Sequence, residues 1–201
     1  MYHFNSLEII TIMRNDLQNS LNRHHIEPSS LSIFQRILLT TDGTVTDILE
    51  SYLSEPIQLV KLSEALITLP QDIPAMQLEK GAEVVERKIL LRGRISRKNF
   101  IFADSIIALE RLDEDFRNAL LKTKITIGKL WLEHRVESFK EIVDSGKETA
   151  NEELSHYFQL EQNINLLFRT YCVFSNNQAI MMITEKFPET YFLNAFDTGK
   201  P

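Results

Sequence analysis

Two spacings of apolar residues alternate along the chain. Ile10, Met13, Leu17 and Leu21 recur at helical intervals over residues 6–23, with Ser6 placed to cap the first turn. Pro28 breaks that pattern between His24 and Ser30. A second helical stretch opens near Ser32 with Ile33, Ile37 and Leu38, and runs through or beside the Asp42-Gly43 turn signal towards Leu53. From there strand-forming segments dominate: Pro56 to Leu62, Ala82 to Arg92, Asn99 to Ile107, Val136 to Val143, Ile164 to Ser175 and Gln178 to Phe187, all rich in Val, Ile, Phe and Tyr. Gly93 to Lys98 and Asn176-Asn177 fit hairpin loops, the second short enough for a two-residue turn. Leu112, Phe116 and Leu120 predict a short amphipathic helix between the third and fourth strands; Ile127 to His134 and Thr149 to Gln159 add helical turns. The sum is a single α+β domain: a mostly antiparallel sheet of about six strands, with helices over one face and one end.

Alternation along a strand sends successive side chains to opposite faces. Ala179, Met181, Ile183, Glu185 and Phe187 share one face of the last strand, so Glu185 stands on its more apolar side. Arg87 likewise stands among Val85, Ile89 and Leu91 on the second strand. Desolvating an ion costs several kcal/mol unless it is paired or used. Two readings follow. Arg87 and Glu185 form a structural ion pair, or they serve a closed apolar pocket in which Arg87 grips an anion and Glu185 handles a hydroxyl or proton.

Composition narrows the chemistry. The chain has 201 residues, 43% apolar and 25% charged, enough for a core and a ligand-sized cavity. A net charge of −6 speaks against nucleic acid and anionic membranes as partners. Cys172 is the only cysteine, which excludes an internal disulfide and any multi-cysteine cluster, and its strand position reads as a small core residue. No 18-residue apolar run or cleavable leader is evident, so the expectation is a soluble protein of the cytoplasm or an organelle interior, monomeric or weakly self-associating. The adjacent His24 and His25, and the isolated His134 and His156, lack partners at metal-ligand spacing; no metal site is expected. Gly128-Lys129 lacks the rest of a phosphate loop, and no nucleophile elbow occurs.

Four stretches carry more than periodicity. In order they are RILLTTDGTVTDILE (Arg36 to Glu50), ERKILLRGR with FADSIIALERL (Glu86 to Arg94 and Phe102 to Leu112), KITIGKLW (Lys124 to Trp131) and FRTYCVFSNNQAIMMITEKFP (Phe168 to Pro188). Together they span residues 31–188 and resemble the chorismate pyruvate-lyase (4-hydroxybenzoate synthetase) family, in particular its archaeal, cyanobacterial and plastid branch. The resemblance implies one chorismate lyase-like domain over residues 1–201, with 1–30 as a helical extension, and helix-turn lids over a buried ligand pocket. It puts Arg87 in the place of an arginine that binds product, and Glu185 in the place of a glutamate in a terminal "TE". Ile127 before Gly128, and Val45 before Thr46, match apolar positions that line the family's site.

The resemblance further implies that the chain eliminates pyruvate from chorismate and leaves 4-hydroxybenzoate, without metal or redox cofactor, in the cytoplasm or, if plastid-encoded, the plastid stroma. Arg87 would hold the ring carboxylate. Glu185 would meet the ring oxygen that becomes the phenol, and Ile127 and Val45 would cover the ring. Arg169, on the penultimate strand, is a candidate second anion contact by proximity in the sheet, on what alternation gives as a more polar side. Two other functions fit the same resemblance. One is a lyase giving a different hydroxybenzoate isomer. The other is a non-catalytic aromatic-acid sensor, like the effector domains of some bacterial transcription regulators. Only some 30 residues precede the first shared motif, less than the winged-helix domain such regulators carry, and direct DNA contact is not expected.

Overall fold

The computed structural model describes residues 26–122, 127, 130, 133, 137–161 and 163–193. Ser32 starts helix α1 (Ile33–Thr40) with a capping box: its hydroxyl accepts from the Gln35 N–H at 3.1 Å, and Gln35 Oε1 accepts from the Ser32 N–H at 2.9 Å. The Gln35 amide then donates to the carbonyls of Glu189 and Tyr191, at 2.7 and 2.9 Å, and ties α1 to the end of the last strand. Instead of one stretch reaching Leu53, the chain turns at Asp42-Gly43, where the Thr41 hydroxyl accepts from the Gly43 N–H, and a second helix, α2 (Val45–Leu53), begins. The helix expected over residues 6–23 with its Ser6 cap, the His24-His25 pair and His134 lie outside the described residues. Of the helical turns expected at 127–134, Ile127, Leu130 and Glu133 are described, and they are helical.

Six strands follow: β1 (Ile57–Thr68), β2 (Glu83–Gly93), β3 (Asn99–Ile107), β4 (Phe139–Thr149), β5 (Asn165–Ser175) and β6 (Gln178–Pro188). They form one sheet in the order β1-β2-β3-β6-β5-β4, with every neighbouring pair antiparallel. Two further short helices are α3 (Glu114–Lys122) before β4 and α4 (Glu152–Phe158) after it. Asn176 and Asn177, with φ of 49° and 60°, make the two-residue turn whose twist suits an antiparallel hairpin.

β1 and β4 run several residues past their expected ends. In each, a bulge interrupts the register at the point where the apolar pattern stops, between Lys61 and Ser63 in β1 and between Ile142 and Asp144 in β4. An extra residue shifts the alternation by one, so the strand continues while its pattern changes phase.

One sheet face is packed by helices at both ends. Phe34, Leu38, Leu39, Val45 and Leu49 of α1 and α2 pack on Leu91, Ile101, Leu167 and Phe187. Phe116 and Leu120 of α3, with Leu130, pack on Val85, Ile107, Val173 and Met181. The reverse face carries α4, whose Leu154 and Phe158 cover Leu90, Phe102 and Leu166.

Candidate active site

Between the two helical packings, the middle of the inner face carries small side chains. Ala103 and Ser105 of β3 sit where Ile101 and Ile107 stand on either side along the strand. A cavity of about 60 Å³ opens there. Its floor is Ile89 and Leu91 of β2, Ala103 and Ser105 of β3, Ile183 and Glu185 of β6, and Tyr171 of β5. The start of α2 (Thr44, Val45, Thr46) lines it from one side, and Ile127 and Lys140 complete it.

Glu185 is buried and its two oxygens have separate partners. Arg169 Nε donates to Oε2 at 2.8 Å, and the Tyr171 hydroxyl donates to Oε1 at 3.0 Å. Each carboxylate oxygen has a second lone pair, so a hydroxyl in the cavity can still donate to Glu185. Arg169 also donates from Nη1 to the Thr41 carbonyl at 2.8 Å, which ties this cluster to the turn between α1 and α2. Burial opposes the charge on Arg169, but Glu185 and the neighbouring Tyr171 outweigh it and the net shift is upward. Burial first, and then Glu185, push the Tyr171 phenol well above its ordinary value, so it remains a donor.

Arg87 is equally buried and differently placed. It faces Ser105 across the β2–β3 ladder and is two residues from Ile89, both part of the cavity wall; Arg87 itself is next to these residues and not part of the wall. Its nearest carboxylate is Glu64 of β1, 3.5 Å from Nε, and Lys61 engages the other oxygen of Glu64 at 2.6 Å. None of the three guanidinium nitrogens of Arg87 has a hydrogen-bond partner among the described residues. Burial pulls its pKa down, and Glu64 offsets this in part. The structural pair between Arg87 and Glu185 is therefore not formed, because each carboxylate and each arginine has a different neighbour.

Sequence comparison gives this arrangement its family. The model of the Rv2949c-like chorismate pyruvate-lyases matches residues 39–195, over three quarters of the chain. The chain belongs to that family. It is 27% identical to the chorismate pyruvate-lyase of Mycobacterium leprae (strain TN) over 157 residues, which is 78% of this chain and 75% of that one. It is 29% identical to the chorismate pyruvate-lyase of Mycobacterium tuberculosis (strain CDC 1551 / Oshkosh) over 164 residues, 80% of this chain and 82% of that one. In fold it is similar to the effector domain of PhnF from Mycobacterium smegmatis (TM-score 0.57, 9% identity, 73% of this chain and 88% of that one). It is also similar to PhnF of M. smegmatis in a longer form (TM-score 0.58, 8% identity, 90% and 91% of the two chains).

Seen as a member of the chorismate pyruvate-lyase family, the chain has Val45, Ile127 and Glu185 on one cavity, with Arg87 next to its wall. Arg169 is not on the polar side that alternation assigned. It is buried on the inner face opposite Glu185 and is occupied in holding that carboxylate. The sequence reading missed Lys140, Tyr171 and Ser105 as cavity residues. Tyr171 had a signal, since it is two residues from Arg169 on the same face. Lys140 had one too, since alternation before the β4 bulge puts it on the face of Ile142. Cys172 is a buried core residue of the other face, and its thiol is pushed up to about 11 by burial and by Glu141. No helix among the described residues is long and apolar enough to cross a membrane.

Proposed function

We propose that this protein eliminates pyruvate from chorismate and leaves 4-hydroxybenzoate. The reaction breaks the bond between the ring and the enolpyruvyl oxygen. A proton leaves the adjacent ring carbon, which keeps its hydroxyl, and the departing enolpyruvate gains a proton to become pyruvate. Aromatisation supplies the driving force. The protein has to orient a dianion, stabilise charge as it moves onto the leaving group, and keep water out.

The observation that carries this reading is Arg87: a guanidinium with 1% of its surface exposed and no hydrogen-bond partner among the described residues, beside a cavity that has Glu185 on its floor. A buried cation left so incompletely satisfied is costly to the empty fold and well suited to a planar carboxylate, which it can grip through two parallel N–H bonds. Arg87 lies two strands and two residues along from Glu185. Standard strand spacing and rise put their backbones about 12 Å apart. An aromatic ring with its carboxylate towards Arg87 and its oxygen towards Glu185 spans that gap. Val45 and Ile127 cover the ring, and Arg169 and Tyr171 fix the Glu185 carboxylate as positioning residues.

Kinetics with chorismate test the assignment of roles. Arg87→Ala lowers kcat/KM by a hundredfold or more, about the value of a lost charge-assisted contact in a dry site. Glu185→Gln preserves volume and lowers kcat by at least about tenfold if the carboxylate handles the ring oxygen or its proton. Turnover unchanged in either variant contradicts that residue's role.

A further inference from the structure

Chorismate carries two carboxylates, and Arg87 accounts for one of them. Arg169 is less available for the other: two of its three guanidinium nitrogens, Nε and Nη1, already serve Glu185 and Thr41, and only Nη2 is without a hydrogen-bond partner among the described residues. Lys140 is on the wall. It comes from β4, at the opposite side of the cavity from Arg87 on β2, and alternation before the β4 bulge brings it to the inner face with Ile142. Its ammonium donates to the Gly43 carbonyl at 2.9 Å and lies 5.3 Å from the centre of the Tyr171 ring. Lys140 also lines a second, outer hollow with Asp42, Ser138 and Phe139, so it stands where the cavity meets the surface.

We propose that Lys140 holds the second carboxylate of the substrate, the one on the departing enolpyruvyl group. This rests on the lyase reading above. A cation at that place neutralises charge on the leaving group as its bond to the ring breaks, and it does so at the cavity's boundary, where pyruvate has to depart. The groups near it fit the role. Burial pulls its pKa down, Glu185 and Asp42 oppose that shift and Arg169 reinforces it, so an arriving carboxylate improves its surroundings. A flexible ammonium suits a ligand whose second half must leave, whereas a planar fork suits the half that stays.

The product offers a clean control, because 4-hydroxybenzoate keeps the ring carboxylate and lacks the second one. Lys140→Met is expected to raise KM for chorismate about 10- to 100-fold, the size of a lost charge-assisted hydrogen bond, while Kd for 4-hydroxybenzoate moves less than about threefold. Lys140→Arg, which keeps the charge, is expected to recover most of the loss. An unchanged KM for chorismate overturns the proposal, as does a parallel weakening of both ligands, which marks Lys140 as structural. If the wild type binds chorismate without converting it, the lyase reading fails by itself, and the same split, measured as Kd values, still decides the role of Lys140.

Discussion

Two buried arginines on adjacent rows of the same sheet face play opposite parts. Arg169 is the better matched: Nε reaches Glu185, Nη1 reaches the Thr41 carbonyl, and the ring of Tyr171 lies 4.9 Å from its guanidinium carbon, which leaves Nη2 alone without a hydrogen-bond partner among the described residues. Among the described residues Arg87 has only Glu64, at 3.5 Å, and Glu64 is shared with Lys61. Breaking a buried pair strands the partner, at a cost of about 3–5 kcal/mol, whereas removing a poorly matched buried charge relieves desolvation. Chemical denaturation of the ligand-free protein should therefore separate them. Arg169→Met is expected to lose about 3–5 kcal/mol, because Glu185 keeps only its Tyr171 bond. Arg87→Leu, which fills similar space without charge, is expected to leave the stability unchanged or raised. A large loss in Arg87→Leu would make Arg87 a structural residue and return the reading to a stabilising ion pair, with Glu64 in place of Glu185.

At the level of elements, α1 sets the position of the cavity's lid. Its capping box fixes where the helix starts, and Gln35 ties it to the segment after β6. The turn that follows carries the Thr41 and Gly43 carbonyls, which receive Arg169 and Lys140. Ser32→Ala is expected to cost about 1 kcal/mol, as for other lost caps. Gln35→Leu is expected to cost about 1–3 kcal/mol, since it takes the Gln35 donor from the half-buried carbonyls of Glu189 and Tyr191. Equal small losses in both would show that the tie to the C-terminal segment contributes nothing. The strands were legible in sequence in β2, β3, β5 and β6, where the register shifts fall near the strand ends, at Leu91/Arg92 and Val173/Phe174, and alternation along the rest is what exposed Arg87 and Glu185 as charges on apolar faces. Bulges explain the shortfall in β1 and β4, because a phase shift ends the pattern without ending the strand. Lys140 precedes the β4 bulge and shares the face of Ile142, but its place at the cavity depends on the α1–α2 turn coming back to it, which no local spacing encodes. The separation of Arg87 from Glu185 was not legible either, since it depends on β6 inserting beside β3 and on the register between them, which no local spacing encodes.

The whole molecule carries a net charge of −6, and its proposed substrate is a dianion. Long-range attraction does not bring the two together; the mean field opposes approach, weakly beyond the roughly 8 Å over which physiological salt screens charge. On the proposed reading recognition is local, from Lys140 on the cavity wall and Arg87 next to that wall, rather than from the net charge. The fold is shared with the effector domain of PhnF, so the reaction has to be read from the site and not from the fold. The decisive measurement is the identity of what the purified protein makes from chorismate, followed by chromatography. The expected result is 4-hydroxybenzoate and pyruvate in equal amounts, at a rate that disappears with Arg87→Ala. Tight binding of 4-hydroxybenzoate with no conversion of chorismate, or conversion to another hydroxybenzoate isomer, would contradict it.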